Sequence, residues 1–207
     1  MKIVQHRINT SKQLESVPST YGIEVDVRYH ASDLVLDHDP FDHHTKNPET
    51  LRSFLKTWNH EGPLILNIKT EGIEKSCIEL MELHSIKSWF FLDLSMPYFV
   101  KYSLSAANQT ISGFSPNNLA VRFSQYEPIE YALAFKNKAR WVWVDCFDGE
   151  PMDQGSLDKL KQNGFKICLV SPELQGYPKE TTKSFSLKCK RFDIDAVCTK
   201  YPELWKK

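Results

Sequence analysis

The sequence predicts an α/β chain folded as a single compact (β/α)8 TIM barrel over residues 1–207, and three observations carry that prediction. Eight short apolar runs alternate with longer polar segments of helical character, the pattern that builds a parallel sheet. Nearly every run ends in a polar or charged residue, where the loops of such a barrel assemble their chemistry. Neither a GxGxxG nor a GxxxxGKS/T loop follows the first run, which argues against an open doubly wound sheet.

Taken in order, the first strand is expected at 2–5, just ahead of His6 and Arg7, and a helix at 11–17 leads to the second strand at 22–27. The short run 34–36 lies close behind and pairs with the second strand as a hairpin extension. A helix at 48–60 starts at Pro48 ahead of an acidic residue, and the third strand follows at 63–68. Helix 73–84, strand 89–94, helix 97–104 and strand 119–123 continue the alternation. Helix 127–136 precedes strand 140–146; helix 154–163, closed by Asn163-Gly164, precedes strand 165–170. Residues 179–190 are too polar and mixed to assign, and the last strand is 196–199. No repeat, low-complexity tract or Pro/Gly/Ser linker divides the chain.

Charge and apolar content narrow the function classes. Lys plus Arg and Asp plus Glu each number 26, so no bulk charge recruits nucleic acid or an anionic membrane. No apolar run approaches the roughly 18 residues of a membrane span, so stable membrane insertion is not expected. The three apolar residues at the N-terminus are too short for a signal-peptide core. Five scattered cysteines without CxxC spacing read as buried reduced thiols, and together these features indicate a cytoplasmic protein. They leave the oligomeric state open.

The strand ends carry the chemistry. Glu24 and Asp26 are two residues apart on a strand and therefore share one face. Two inward carboxylates at a barrel mouth repel one another, and a hard divalent cation such as Mg²⁺ or Ca²⁺ relieves that repulsion through oxygen ligands. His6 and His38 each follow an apolar run and face the same mouth, where imidazoles serve as general base and general acid. Arg7 and Lys69 are placed to clamp phosphate oxygens. Asn67, Asp93, Glu127, Asp145 and Lys200 also end strands. Trp141 and Trp143 alternate along one strand as packing residues, His43-His44 reads as a solvated turn, and Trp205-Lys206-Lys207 as a surface anchor.

In order, His6-Arg7, then Glu24-Val25-Asp26-Val27-Arg28, then Leu36-Asp37-His38-Asp39-Pro40 resembles the glycerophosphodiester phosphodiesterase family, a PLC-like TIM-barrel group. Leu66-Asn67-Ile68-Lys69 is similar to that family's third strand, and 195–202 to its last. The resemblance implies a metal-dependent phosphodiesterase acting on a small-molecule phosphodiester, glycerophosphoryl or sugar-phosphoryl. His6 and His38 would be the acid–base pair, Glu24, Asp26 and Asn67 the metal ligands, and Arg7 and Lys69 the phosphate contacts. The alternatives are a catalytically faded barrel that binds a phosphorylated ligand, or a metal-independent lyase that releases a cyclic phosphate.

Four departures qualify the likeness. The first loop, Ile8-Asn9-Thr10, is shortened and lacks the family's glycine and glutamate. Asn67 stands where the family has an acid, removing one negative charge unless Asp145, Glu127 or Asp93 compensates. Lys200 replaces an acid after the last strand, and there is no room for an inserted capping subdomain.

Overall fold

The computed structural model describes residues 1–40, 47–149 and 153–206. Its elements run β1 (Lys2–Gln5), α1 (Ser11–Leu14), β2 (Gly22–His30), β3 (Asp33–Leu36), α2 (Leu51–Lys56), β4 (Leu64–Ile68) and α3 (Glu74–Leu83). There follow β5 (Trp89–Leu92), α4 (Met96–Ala107), β6 (Ala120–Phe123), α5 (Ile129–Ala134), β7 (Trp141–Val144), α6 (Gln154–Gln162), β8 (Lys166–Val170), α7 (Lys179–Cys189) and β9 (Ala196–Thr199). Short 3-10 turns occupy Pro116–Asn118, Pro172–Gln175 and Pro202–Leu204.

The strands form one sheet in the order β5-β4-β2-β1-β9-β8-β7-β6, with parallel neighbours throughout. A parallel bridge between Phe91 and Leu119 joins β5 to β6 and closes the ring. The chain is thus the eight-stranded βα barrel expected of it. The hairpin extension is also present: β3 pairs antiparallel to β2, with Val27 opposite Leu36. Between β2 and β4 the described residues hold only this strand and α2, with no inserted subdomain. His43 and His44 lie outside the described residues.

Alternation along each strand creates two cores. Outward residues such as Ile23, Val25, Leu66, Val142 and Leu169 pack under the helices. Inward residues, including Val4, Ile65, Phe90, Ala120, Trp141, Trp143, Cys168 and Cys198, fill the barrel itself. Both tryptophans therefore point inward, and Trp141 stacks on Phe90 with ring centroids 4.8 Å apart. At the N-terminal end, Gly62 lies so close to β2 that a Cβ would stand 2.1 Å from the Gly22 nitrogen.

The helices are mostly shorter than their polar segments suggested. α1 has four residues and is held by a capping box between Thr10 and Gln13. α7 fills the stretch the sequence left unassigned, burying Thr182, Phe185, Ser186 and Cys189 on one face. Trp205 is no surface anchor: it is 4% exposed and its indole N–H donates to Ser171 Oγ at 3.0 Å. The five cysteines are buried and none is in a disulfide. Among the described residues, no helix is long and apolar enough to cross a membrane.

Candidate active site

At the C-terminal ends of the strands the inward positions change from apolar to charged. In β2, Glu24 and Asp26 share the inward face and both are fully buried. Parallel pairing sets Asp26 beside Asn67 of β4. His6 and Arg7 follow β1, whose last residue Gln5 is in register with Ile23, so His6 arrives level with Glu24 and Arg7 one step above it. His38 follows β3 and is brought back to the mouth by the β2–β3 hairpin.

All seven residues expected of the site meet in one network. His6 Nε2 lies 3.7 Å from Glu24 Oε2, which also accepts the Arg7 backbone N–H at 2.8 Å. Asn67 Nδ2 donates to Glu24 Oε1 at 2.9 Å. The Arg7 guanidinium meets His38 Nε2 and stands 3.9 Å from Asp26 Oδ2. Lys69 Nζ is 3.6 Å from Asp26 Oδ1. Arg7 adopts φ 54°, a left-handed conformation rare for a side-chain-bearing residue, and strain of this kind collects at functional sites.

Electrostatics separate the roles of these groups. Burial, reinforced by the Asp26 charge, pushes Glu24 up to about 7. Burial first, then the cations Arg7 and Lys200, holds His6 down at about 3, so its imidazole is neutral at ordinary pH. His38 is more open; its Nδ1 meets Asp39 Oδ1 at 2.7 Å, and its Nε2 accepts from the Arg7 guanidinium.

The donor set suits a hard cation. Asp26 Oδ1 and Asn67 Oδ1 are buried without hydrogen-bond partners, and the Asp26 charge disfavours ionisation of Glu24, a repulsion that a hard cation would relieve. The set holds only two carboxylates: among the described residues no cluster of three or more His, Cys, Asp or Glu is placed to hold a metal. Asp93 and Asp145 are instead engaged by Arg122.

Three contributors escaped the sequence reading. Asn9 pairs twice with Asp26, donating from Nδ2 to Oδ2 at 3.0 Å and accepting the Asp26 N–H on Oδ1 at 2.9 Å. The shortened first loop thus still orients the Asp26 carboxylate through Asn9. Arg122, inward on β6, ties Asp93 to Asp145; a charged residue inside a buried run was the available clue. Glu173 gathers Ser171 Oγ, Thr182 Oγ1 (3.0 Å), Thr199 Oγ1 (2.6 Å) and the Lys200 N–H (2.8 Å). It ties the end of β9, and with it Lys200, to α7.

No protein-family model matches the sequence, and no curated protein does. Solved structures do resemble the fold. A glycerophosphodiester phosphodiesterase from Agrobacterium tumefaciens str. C58 superposes with a TM-score of 0.70 at 14% identity, covering 99% of each chain. A glycerophosphoryl diester phosphodiesterase from Parabacteroides distasonis ATCC 8503 gives 0.67 at 13% identity, over 99% of this chain and 84% of that one. At such identity the likeness speaks for architecture, and the chain is a (β/α)8 barrel built on the same plan as these two phosphodiesterases.

Proposed function

We propose that this barrel is a metal-assisted phosphodiesterase acting on a small glycerophosphoryl or sugar-phosphoryl diester. The observation that carries the reading is the fully buried Glu24–Asp26 pair, flanked by two histidines and two phosphate-sized cations at the C-terminal mouth. Glu24, Asp26 and Asn67 Oδ1 would hold Mg²⁺ or Ca²⁺, which supplies positive charge against the phosphate oxygens. Arg7 and Lys69 contact the remaining phosphate oxygens. His6 takes the proton from the attacking hydroxyl, either water or a neighbouring hydroxyl of the substrate, once the phosphate charge offsets the Arg7 and Lys200 cations that help hold its basicity down. His38, its ring oriented by the Asp39 Oδ1 contact at Nδ1, gives a proton from Nε2 to the leaving alcohol. That nitrogen accepts from the Arg7 guanidinium here, so a bound phosphate that draws the guanidinium away frees it to take up the proton it then delivers.

One feature supports a second reading, the metal-independent lyase. Lys69 and Arg7 already stand 3.6 and 3.9 Å from Asp26 and supply cationic charge of their own. A single experiment separates the two: cleavage of a panel of phosphodiesters with Mg²⁺, Ca²⁺ or chelator. The metal-assisted reading expects turnover lost on chelation and reduced at least about 100-fold by His6→Ala or His38→Ala. Survival in chelator with a cyclic phosphate product selects the lyase. Ligand-induced stabilisation without turnover across the panel marks a faded barrel. The buried thiols and absence of disulfides support a reducing, cytoplasmic setting.

A further inference from the structure

Beyond the phosphodiesterase network, the mouth carries a second row of charged side chains. Around the barrel, the ends of β2, β4, β5, β6 and β7 carry in turn Asp26, Lys69, Asp93, Arg122 and Asp145, a series of alternating sign. Lys69 Nζ stands at equal distances, 3.6 Å, from Asp26 Oδ1 and Asp93 Oδ2. It is in hydrogen-bond contact with neither. A lysine is a point charge on a flexible four-carbon stem, so this midway position requires opposing pulls.

Asp93 is built to supply one of them. Its Oδ1 accepts Arg122 Nε at 2.9 Å together with Nη2, which leaves Oδ2 turned toward Lys69. Arg122 is anchored in turn by Asp145, which is 2% exposed. The other oxygen of Asp145 is held by Trp143 Nε1 at 3.2 Å and Gln175 Nε2 at 2.9 Å. Asp93 also adopts φ 63°, a second left-handed residue at a strand end of this mouth after Arg7. An unanchored aspartate would follow the lysine; this one cannot.

We propose that Asp93, fixed by the Arg122–Asp145 pair, is a positioning residue that keeps the Lys69 ammonium in the open mouth and prevents its capture by buried Asp26. The inference rests on the phosphate-binding role proposed for Lys69. It differs from a plain counter-charge role in sign. Neutralising a carboxylate beside a phosphate-binding cation removes repulsion and tightens anion binding, whereas removing a positioning group weakens it.

Two measurements test this, in chelator-containing buffer. The first is the crystal structure of Asp93→Asn, in which Lys69 Nζ is expected within about 3 Å of Asp26 Oδ1. The second is calorimetric titration of inorganic phosphate. Affinity is expected to fall about tenfold in Asp93→Asn, despite the lost negative charge, and the same substitution in a Lys69→Met background should produce no weakening. Arg122→Lys, which loses the forked grip on Asp93 but keeps the charge, should displace Lys69 likewise and stands in should Asp93→Asn not fold. An unmoved Lys69, or tighter phosphate binding in Asp93→Asn, overturns the inference. Wild-type protein that binds no phosphate would count against the proposed function, while the crystallographic result would still decide the positioning role.

Discussion

At the residue scale, Glu24 and His6 bury opposite kinds of ionisation side by side. A divalent cation binds ionised carboxylate, and burial with the Asp26 charge raises Glu24 to about 7. Each ion bound below that pH must therefore displace a proton. Apparent Mg²⁺ or Ca²⁺ affinity is expected to drop about tenfold per pH unit between about pH 7 and 5.5. Calorimetry at both ends of that range reads it, and a flat profile would remove Glu24 from the ligand set. His6 works through folding. Its folded-state value of about 3 lies below the unfolded 6.5, so between those limits the unfolded chain takes up a proton that the folded one refuses. Stability is accordingly complete above about pH 6.5 and declines as pH falls through that window. Between pH 6.5 and 4.5 the share from His6 is about 2 kcal/mol. His6→Gln should shrink the difference between urea midpoints at those two pH values by that amount; an unchanged difference would show that His6 accepts its proton in the fold.

At the scale of elements, the strands were far more legible than the helices. A buried strand must be apolar along its run, and that constraint is local. β1 and β9 were read with their observed bounds, and the other strands within a few residues. Helices here are short pieces whose ends are settled by tertiary contacts, so polarity alone overran them: the segment read at 48–60 is helical only over Leu51–Lys56. α7 was invisible for the same reason. Its buried face includes Thr182 and Ser186, which look like surface residues until Glu173 is placed beneath Thr182 Oγ1 at 3.0 Å. That glutamate is the joint between α7, the Pro172–Gln175 turn and the end of β9. Glu173→Leu would leave buried hydroxyls and the Lys200 N–H without an acceptor, at an expected cost of about 3–4 kcal/mol. A denaturant melt measures it, and a cost below about 1 kcal/mol would mean that the donors find other partners.

Over the whole molecule, legibility followed sequence separation. The half of the mouth from His6 to Lys69 could be read because its groups sit in strand-end pairs whose chemistry is visible within a few residues. The half centred on Arg122 could not, since its partners Asp93 and Asp145 lie 29 and 23 positions away, and it takes the β6–β7 ladder to bring Asp145 and closure of the ring at β5–β6 to bring Asp93. Closure also identifies the weakest seam. Neighbouring strands elsewhere share ladders, whereas β5 and β6 meet at the single Phe91–Leu119 bridge. Side chains make up part of the deficit. Asn118 Nδ2 donates to the Trp89 carbonyl at 3.1 Å at the lower end, and Arg122 grips Asp93 at the upper end. A barrel with one poorly paired joint should open there first, because fewer backbone hydrogen bonds must break. Native-state hydrogen exchange is expected to show the β6 amides, Ala120–Phe123, exchanging faster than those of β2 or β9. Asn118→Ala removes the lower staple and should cost about 1–3 kcal/mol while speeding exchange in β5 and β6 selectively. Uniform acceleration across all strands would instead mean that the barrel opens as one cooperative unit, with the seam no weaker than any other joint.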